Sequence, residues 1–313
     1  MKILVLGAGA VGGYFGARMA EKGVDVSFLV RPRRAEVIAR DGLRIASPHG
    51  NAQLKVNCVT QDAVKPAYDI VMFTAKAYDL ESALEAIAPA MAGRALALPL
   101  LNGMSHLQAL DARFGRDKVL GGVAYIAATL AADGEVRHLN DFHRIVFGAR
   151  AASQKSACDA FASALAGVKF DWKQLEDVEQ AMWDKWVLLA TLAGITCLMR
   201  APVGDIVATG AGEKLTLALL GECAAVAKAE GRPAPEAVLQ NYRSMLTQKG
   251  STFSASMLRD IESGGQAEGD HILGALLATA RKHALATPVL EIAATQLEAY
   301  VARRAREAGS GKN

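Results

Sequence analysis

The first chemistry legible in this sequence is that of a phosphate cradle. Lys2-Ile-Leu-Val-Leu6 reads as a short buried strand, and Gly7-Ala8-Gly9-Ala10-Val11-Gly12 follows it directly. A helical pattern then runs to about Lys22, where Gly23 is placed to cap it. Gly7 permits the tight turn, Gly9 lets the backbone approach a pyrophosphate, and Gly12 lets the helix pack closely on the strand. The backbone N–H groups at Ala10 and Val11, where the helix begins, offer unpaired donors and partial positive charge to the phosphates. Gly-x-Gly-x-x-Gly is weak evidence alone. Between a strand and a helix, inside a βαβ unit that closes with a second strand at Val24–Val30, it predicts a dinucleotide site.

The residue type after the second strand indicates which dinucleotide. An NAD site wants Asp or Glu there for the ribose 2′-hydroxyl. This chain has Arg31-Pro32-Arg33-Arg34, with Arg31 placed 19 residues after Gly12. A guanidinium grips a 2′-phosphate through charge-assisted, bidentate hydrogen bonds. The expected cofactor is therefore NADP(H), and the missing acid argues equally against FAD. Arg33 and Arg34 read either as further phosphate contacts or as solvated loop charges.

Further strand-like runs, at 43–46, 54–59, 69–74 and 95–101, alternate with helical patterns at 79–91 and 105–114. That alternation predicts a mostly parallel, doubly wound sheet. Residues 119–150 look β-rich, with a turn at Asp133-Gly134 and a closing strand at 144–147. Near residue 170 the pattern turns almost wholly helical, with candidates at 178–198, 212–230, 235–247, 269–283 and 288–307. The expected fold is an α/β Rossmann domain over 1–170 that binds NADP, followed by an all-helical substrate domain over 171–313. The tail 309–313 reads as loose.

Composition excludes several classes. A formal net charge of +3 on 313 residues leaves no nucleic-acid or membrane-surface footprint. Four scattered cysteines and six dispersed histidines show no zinc-ligand spacing, so no metal is expected and the thiols read as free, in a reducing cytoplasm. No nucleophile elbow or P-loop is present. The uncharged run 186–199 is shorter than the roughly 20 residues that span a bilayer. The helical half could carry a homodimer face, but no apolar stripe decides it.

Several segments together resemble the ketopantoate reductase (2-dehydropantoate 2-reductase) family along most of the chain. They are KILVLGAGAVGGYFG at the start, FTAKAYD at 73–79, LLNGM at 100–104, MWDKWVLLA at 182–190 and SMLRDIESGGQAEGDHILG at 256–274. The resemblance implies a helical domain like that of 6-phosphogluconate dehydrogenases and an active site in a cleft between domains. It also implies NADPH-dependent reduction of a small 2-oxo acid, ketopantoate to pantoate in pantothenate synthesis. Such chemistry needs a hydride donor, a proton donor to the developing alkoxide and a grip on the carboxylate. By resemblance Lys185 is the general acid and Glu268 its partner, Ser256 binds the substrate carboxylate, and Asn102 and Lys76 lie by nicotinamide and substrate. Taken alone, Lys185 reads as a snorkelling surface lysine, Ser256 as a helix cap, Glu268 as a solvated helix-start acid, and Asn102 and Lys76 as turn residues. Partial burial is expected to lower the Lys185 pKa from about 10.4.

One departure stands out. Family members carry Asn four and eight residues after the catalytic Lys, where this chain has Leu189 and Ala193. Thr191 or Thr196 could substitute after a small rotation. An apolar wall discriminates poorly in favour of a hydroxyl, which suggests a more apolar 2-oxo or 2-hydroxy acid, or relaxed specificity. Two further readings are a related dehydrogenase acting on another hydroxy acid or an imine, and a non-catalytic NADP-binding regulatory protein.

Overall fold

In the computed structural model, which describes residues 1–310, strands fall at β1 (Lys2–Leu6), β2 (Asp25–Leu29), β3 (Leu43–Ala46), β4 (Ala52–Leu54), β5 (Asn57–Val59), β6 (Ile70–Phe73), β7 (Leu96–Pro99), β8 (Gly121–Leu130), β9 (Val136–Gly148) and β10 (Asp171–Gln174). The first sheet has the order β5-β2-β1-β6-β7, and every adjacent pair in it is parallel. All four residues of β6 and the last four of β1 and β2 are buried, as strands covered on both faces must be. Helices α1 (Ala10–Glu21), α2 (Pro32–Asp41) and α3 (Leu80–Met91) connect them, giving the Rossmann-like order expected. The second sheet runs β10-β9-β3-β4, with β8 antiparallel to β9.

The chain folds as two compact units, one made of Met1–Leu101 and His106–Ala181, the other of Asn102–Ser105 and the residues from Met182 onward. The first unit runs past residue 170 because β10 pairs in parallel with β9. It also holds α5 (Lys155–Ala164) and most of α4 (Ser105–Phe114). The second contains most of α6 (Val178–Met199), then α7 (Val203–Val207), α8 (Gly212–Ala229), α9 (Glu236–Leu246), α10 (Ser256–Glu262), α11 (Ala275–Lys282) and α12 (Pro288–Ser310). Its core gathers Val187, Ile195, Leu219, Leu273 and Leu290, all fully buried. α6 is long and apolar enough to cross a membrane by length and composition, but 67% of its most apolar window is buried within the protein. It is a core helix.

Several local readings are corrected. The run 54–59 is two strands in different sheets: Ala52–Leu54 pairs with β3 and Asn57–Val59 with β2. The closing strand at 144–147 is the end of the longer β9. Arg33 and Arg34 lie in a helix, α2, not a loop; Pro32 opens it with its φ already set. α12 continues through Ser310 into the expected tail, and residues 311–313 lie outside those described. Histidines far apart in sequence do converge: His49, His138 and His143 meet on the second sheet.

Candidate active site

Gly7 adopts φ +90, the left-handed region that only glycine enters without strain, and donates its N–H to Leu29 O at 2.9 Å. A Cβ at Gly7 or Gly9 would meet open space, so the loop is clear on the side a ligand needs. A Cβ at Gly12 would collide with Thr74 Oγ1 and the Gly7 carbonyl. Thr74 is fixed there because its hydroxyl donates to Leu6 O at 2.7 Å, joining the ends of β6 and β1. Gly9 caps α1 without any side-chain hydrogen bond, so no capping side chain competes for the N–H groups of Ala10 and Val11. These features fit a dinucleotide pyrophosphate.

Arg31, just past β2, is 81% exposed and forms only a loose ion pair with Asp79, at 3.5 Å. An exposed pair of this kind is worth little and yields readily to a phosphate. Arg34 has a different task. Its two terminal nitrogens donate to Ala8 O and Gly134 O, each at 3.0 Å, bracing the glycine loop against the β8–β9 turn. Lys76 is exposed and begins the turn that follows β6.

The second unit brings together three of the predicted residues. Lys185 Nζ donates to Asn102 Oδ1 at 3.0 Å. Desolvation by the surrounding protein pushes the Lys185 pKa down to about 8, and the charge of Glu268 opposes that fall. Glu268 is itself only 9% exposed. It stands just before Gly269 and a π turn, Asp270–Gly274, that leads into α11.

Residues that sequence reasoning misses hold this arrangement. Trp186 Nε1 donates to Ile272 O at 2.9 Å, tying α6 to the π turn. Ser105 Oγ and His271 Nδ1 are hydrogen-bonded at 2.9 Å. Gly103 has φ +78, and a Cβ there would stand 2.8 Å from His271 O, so that loop requires glycine twice over. The sequence signal is faint: a glycine and a serine just past Asn102.

Ser256 is exposed at the start of α10 and is not its cap; Ala255 occupies that position. Ala255 N–H instead reaches Thr196 Oγ1 at 3.4 Å. Leu189 is half-buried, while Ala193, 3% exposed, belongs to the core. Thr191 and Thr196 do not replace the missing amides. Both are fully buried and donate to their own helix, at Val187 O (2.8 Å) and Leu192 O (2.6 Å). The assembled group is a half-buried ammonium, held by an amide, beside a carboxylate, with a pKa that lets it release a proton near neutrality.

Known proteins resemble the chain along most of its length. The family model described as "Ketopantoate reductase PanE/ApbA" matches residues 3–152, and its C-terminal counterpart matches 177–301. The chain is 38% identical over 304 residues to YkpB of Bacillus subtilis (strain 168), described as an uncharacterized oxidoreductase, covering 97% of this chain and 100% of that one. It is 30% identical to a 2-dehydropantoate 2-reductase of Archaeoglobus fulgidus, over 88% of this chain and 90% of that one. Among solved structures, the PanE/ApbA family ketopantoate reductase from Ralstonia eutropha JMP134 superposes with a TM-score of 0.86, at 28% identity, covering 97% and 99% of the two chains.

Proposed function

The chain belongs to the ketopantoate reductase family, and we propose that it uses NADPH to reduce a 2-oxo acid to the 2-hydroxy acid, with 2-dehydropantoate the leading substrate and pantothenate synthesis the setting. Family membership makes it an oxidoreductase acting on CH–OH with a nicotinamide cofactor and a small keto-acid substrate, which displaces the non-catalytic reading. The observation that carries the proposal is the Lys185–Asn102–Glu268 cluster.

Gly7, Gly9, Ala10, Val11 and Gly12 would hold the pyrophosphate, and Arg31 the 2′-phosphate. Lys76, at the turn after β6, is assigned to the cofactor by the family resemblance, and so is Asn102. Such a cofactor would supply the hydride that the substrate carbonyl carbon accepts. Lys185 then gives a proton from Nζ to the carbonyl oxygen as it becomes an alkoxide. Asn102 Oδ1 holds the ammonium in place, and Glu268 keeps it charged against its desolvation. The exposed hydroxyl of Ser256 donates to the substrate carboxylate. A cytoplasmic location, consistent with four unpaired cysteines, is part of the same proposal.

A second reading keeps this chemistry but changes the substrate. Leu189, half-buried one turn from Lys185, offers methyl groups where an amide would read a hydroxyl. That favours a 2-oxo acid with an apolar side chain. Following NADPH oxidation with 2-dehydropantoate beside apolar 2-oxo acids separates the two. Selective turnover of 2-dehydropantoate supports the first reading, preference for an apolar acid supports the second, and no turnover of any of them refutes both.

A further inference from the structure

Three histidines that the sequence scatters meet on the first unit's second sheet. His138 and His143 lie on β9, and His49 lies on the turn between β3 and β4. The rings are nearly parallel: His49 and His143 stack at 3.8 Å between centroids, and His138 is 5.6 Å from each. One nitrogen from each ring lies within 4.8 Å of the other two.

Hydrogen bonding decides which nitrogens carry lone pairs. A backbone carbonyl only accepts, so the ring nitrogen facing it holds the proton. His138 Nε2 faces Phe142 O at 3.0 Å, and His49 Nε2 faces Asp141 O at 3.0 Å. In both rings Nδ1 therefore carries the lone pair. Ser47 Oγ now donates to His138 Nδ1 at 3.0 Å, a contact that rotation of one hydroxyl releases. His143 Nδ1 is 2.7 Å from the Tyr14 hydroxyl; with that oxygen accepting, Nε2 carries the lone pair. A carbonyl or hydroxyl partner on the far nitrogen is what orients imidazoles around a metal.

Neighbouring charges are of both signs: Arg18 acts against a cation at His138 and His143, and Asp171 favours one at His143. Arg18 lies 5.3 Å from the centre of the Tyr14 ring and pairs with Glu21 at 2.9 Å. Lys169, beside His49 and His143 in a shallow surface depression, also pairs with Glu21, at 2.6 Å. Asp171 lines the same depression and contributes a carboxylate, now 3.4 Å from Arg144.

We propose that His49, His138 and His143 bind one divalent transition cation of the class that imidazole favours, with Zn²⁺ the reference ion and a fourth position left to water. Zn–N bonds of about 2.0–2.1 Å require the nitrogens to draw closer than they stand. His49 is the exposed ring, on a turn, and is the one that unstacks and closes in. The bound ion ties that turn to β9.

The test is calorimetric titration of Zn²⁺ into tag-free, full-length protein in a non-chelating buffer, with melting temperature recorded in parallel. One equivalent binds at micromolar concentration or below, and the melting temperature rises with Zn²⁺. His49→Ala, an exposed substitution that leaves the fold intact, weakens binding by more than about tenfold, as does His143→Gln. Absence of stoichiometric binding, or equal binding by the wild type and both variants, overturns the site.

Discussion

The glycine loop of the first unit draws its predicted phosphate contacts from consecutive residues, Gly7 to Gly12, between one strand and one helix. The lysine cluster of the second unit draws Asn102, Lys185 and Glu268 from segments 83 residues apart and more. The loop works through backbone, so its requirements appear as glycines at fixed spacing. The cluster works through side chains whose properties exist only after folding. Lys185 illustrates this: its sequence neighbours suggest a snorkelling surface lysine, and its folded surroundings give it a pKa of about 8.

Substitutions break the comparison at different points. The largest effect is expected at Lys185. Lys185→Ala should lower kcat/KM by about 10²–10⁴-fold, or roughly 2.7–5.4 kcal/mol of barrier, while calorimetry finds NADPH affinity little changed. A loss below about threefold would remove the lysine from proton transfer. Gly12→Ala acts on the other region. Its methyl group has nowhere to go between Thr74 and the Gly7 carbonyl. It should cost about 1–3 kcal/mol in urea unfolding and weaken dinucleotide binding together with stability. Unaltered stability and affinity would show that the loop tolerates the side chain.

Arg31→Ala sharpens the cofactor assignment. Loss of a charge-assisted contact worth about 1.5–3 kcal/mol should raise the NADPH Kd about 10- to 150-fold. The NADH Kd should barely move. Equal weakening of both would mean that Arg31 does not read the 2′-phosphate.

Legibility in the sequence follows the same division. The parallel sheet and the glycine turn are readable because buried runs and glycine spacing are local signals. The helix at Pro32–Asp41 is hidden because its arginines, including the brace Arg34, look like a charged loop until Ala8 O and Gly134 O are placed beside them. Lys185, Asn102 and Glu268 are identified only through resemblance to a family, since no spacing rule brings them together. Trp186, Ser105 and His271 escape because their partners are a distant carbonyl and each other. The histidine trio escapes for the same reason, with His49 lying 89 residues before His138.

The most direct test of the chemistry is the pH dependence of kcat/KM for reduction, in the wild type and in Asn102→Ala. Lys185 must be protonated to act as the acid, so the rate should be level below about 8 and fall tenfold per pH unit above it. The reverse oxidation, which needs the neutral amine, should rise over the same range. Asn102 accepts a hydrogen bond from the ammonium and so favours the charged form. Its removal should move the falling limb to lower pH. A profile that stays flat through that range, or a limb that Asn102→Ala leaves in place, would contradict the assignment of Lys185 as proton donor.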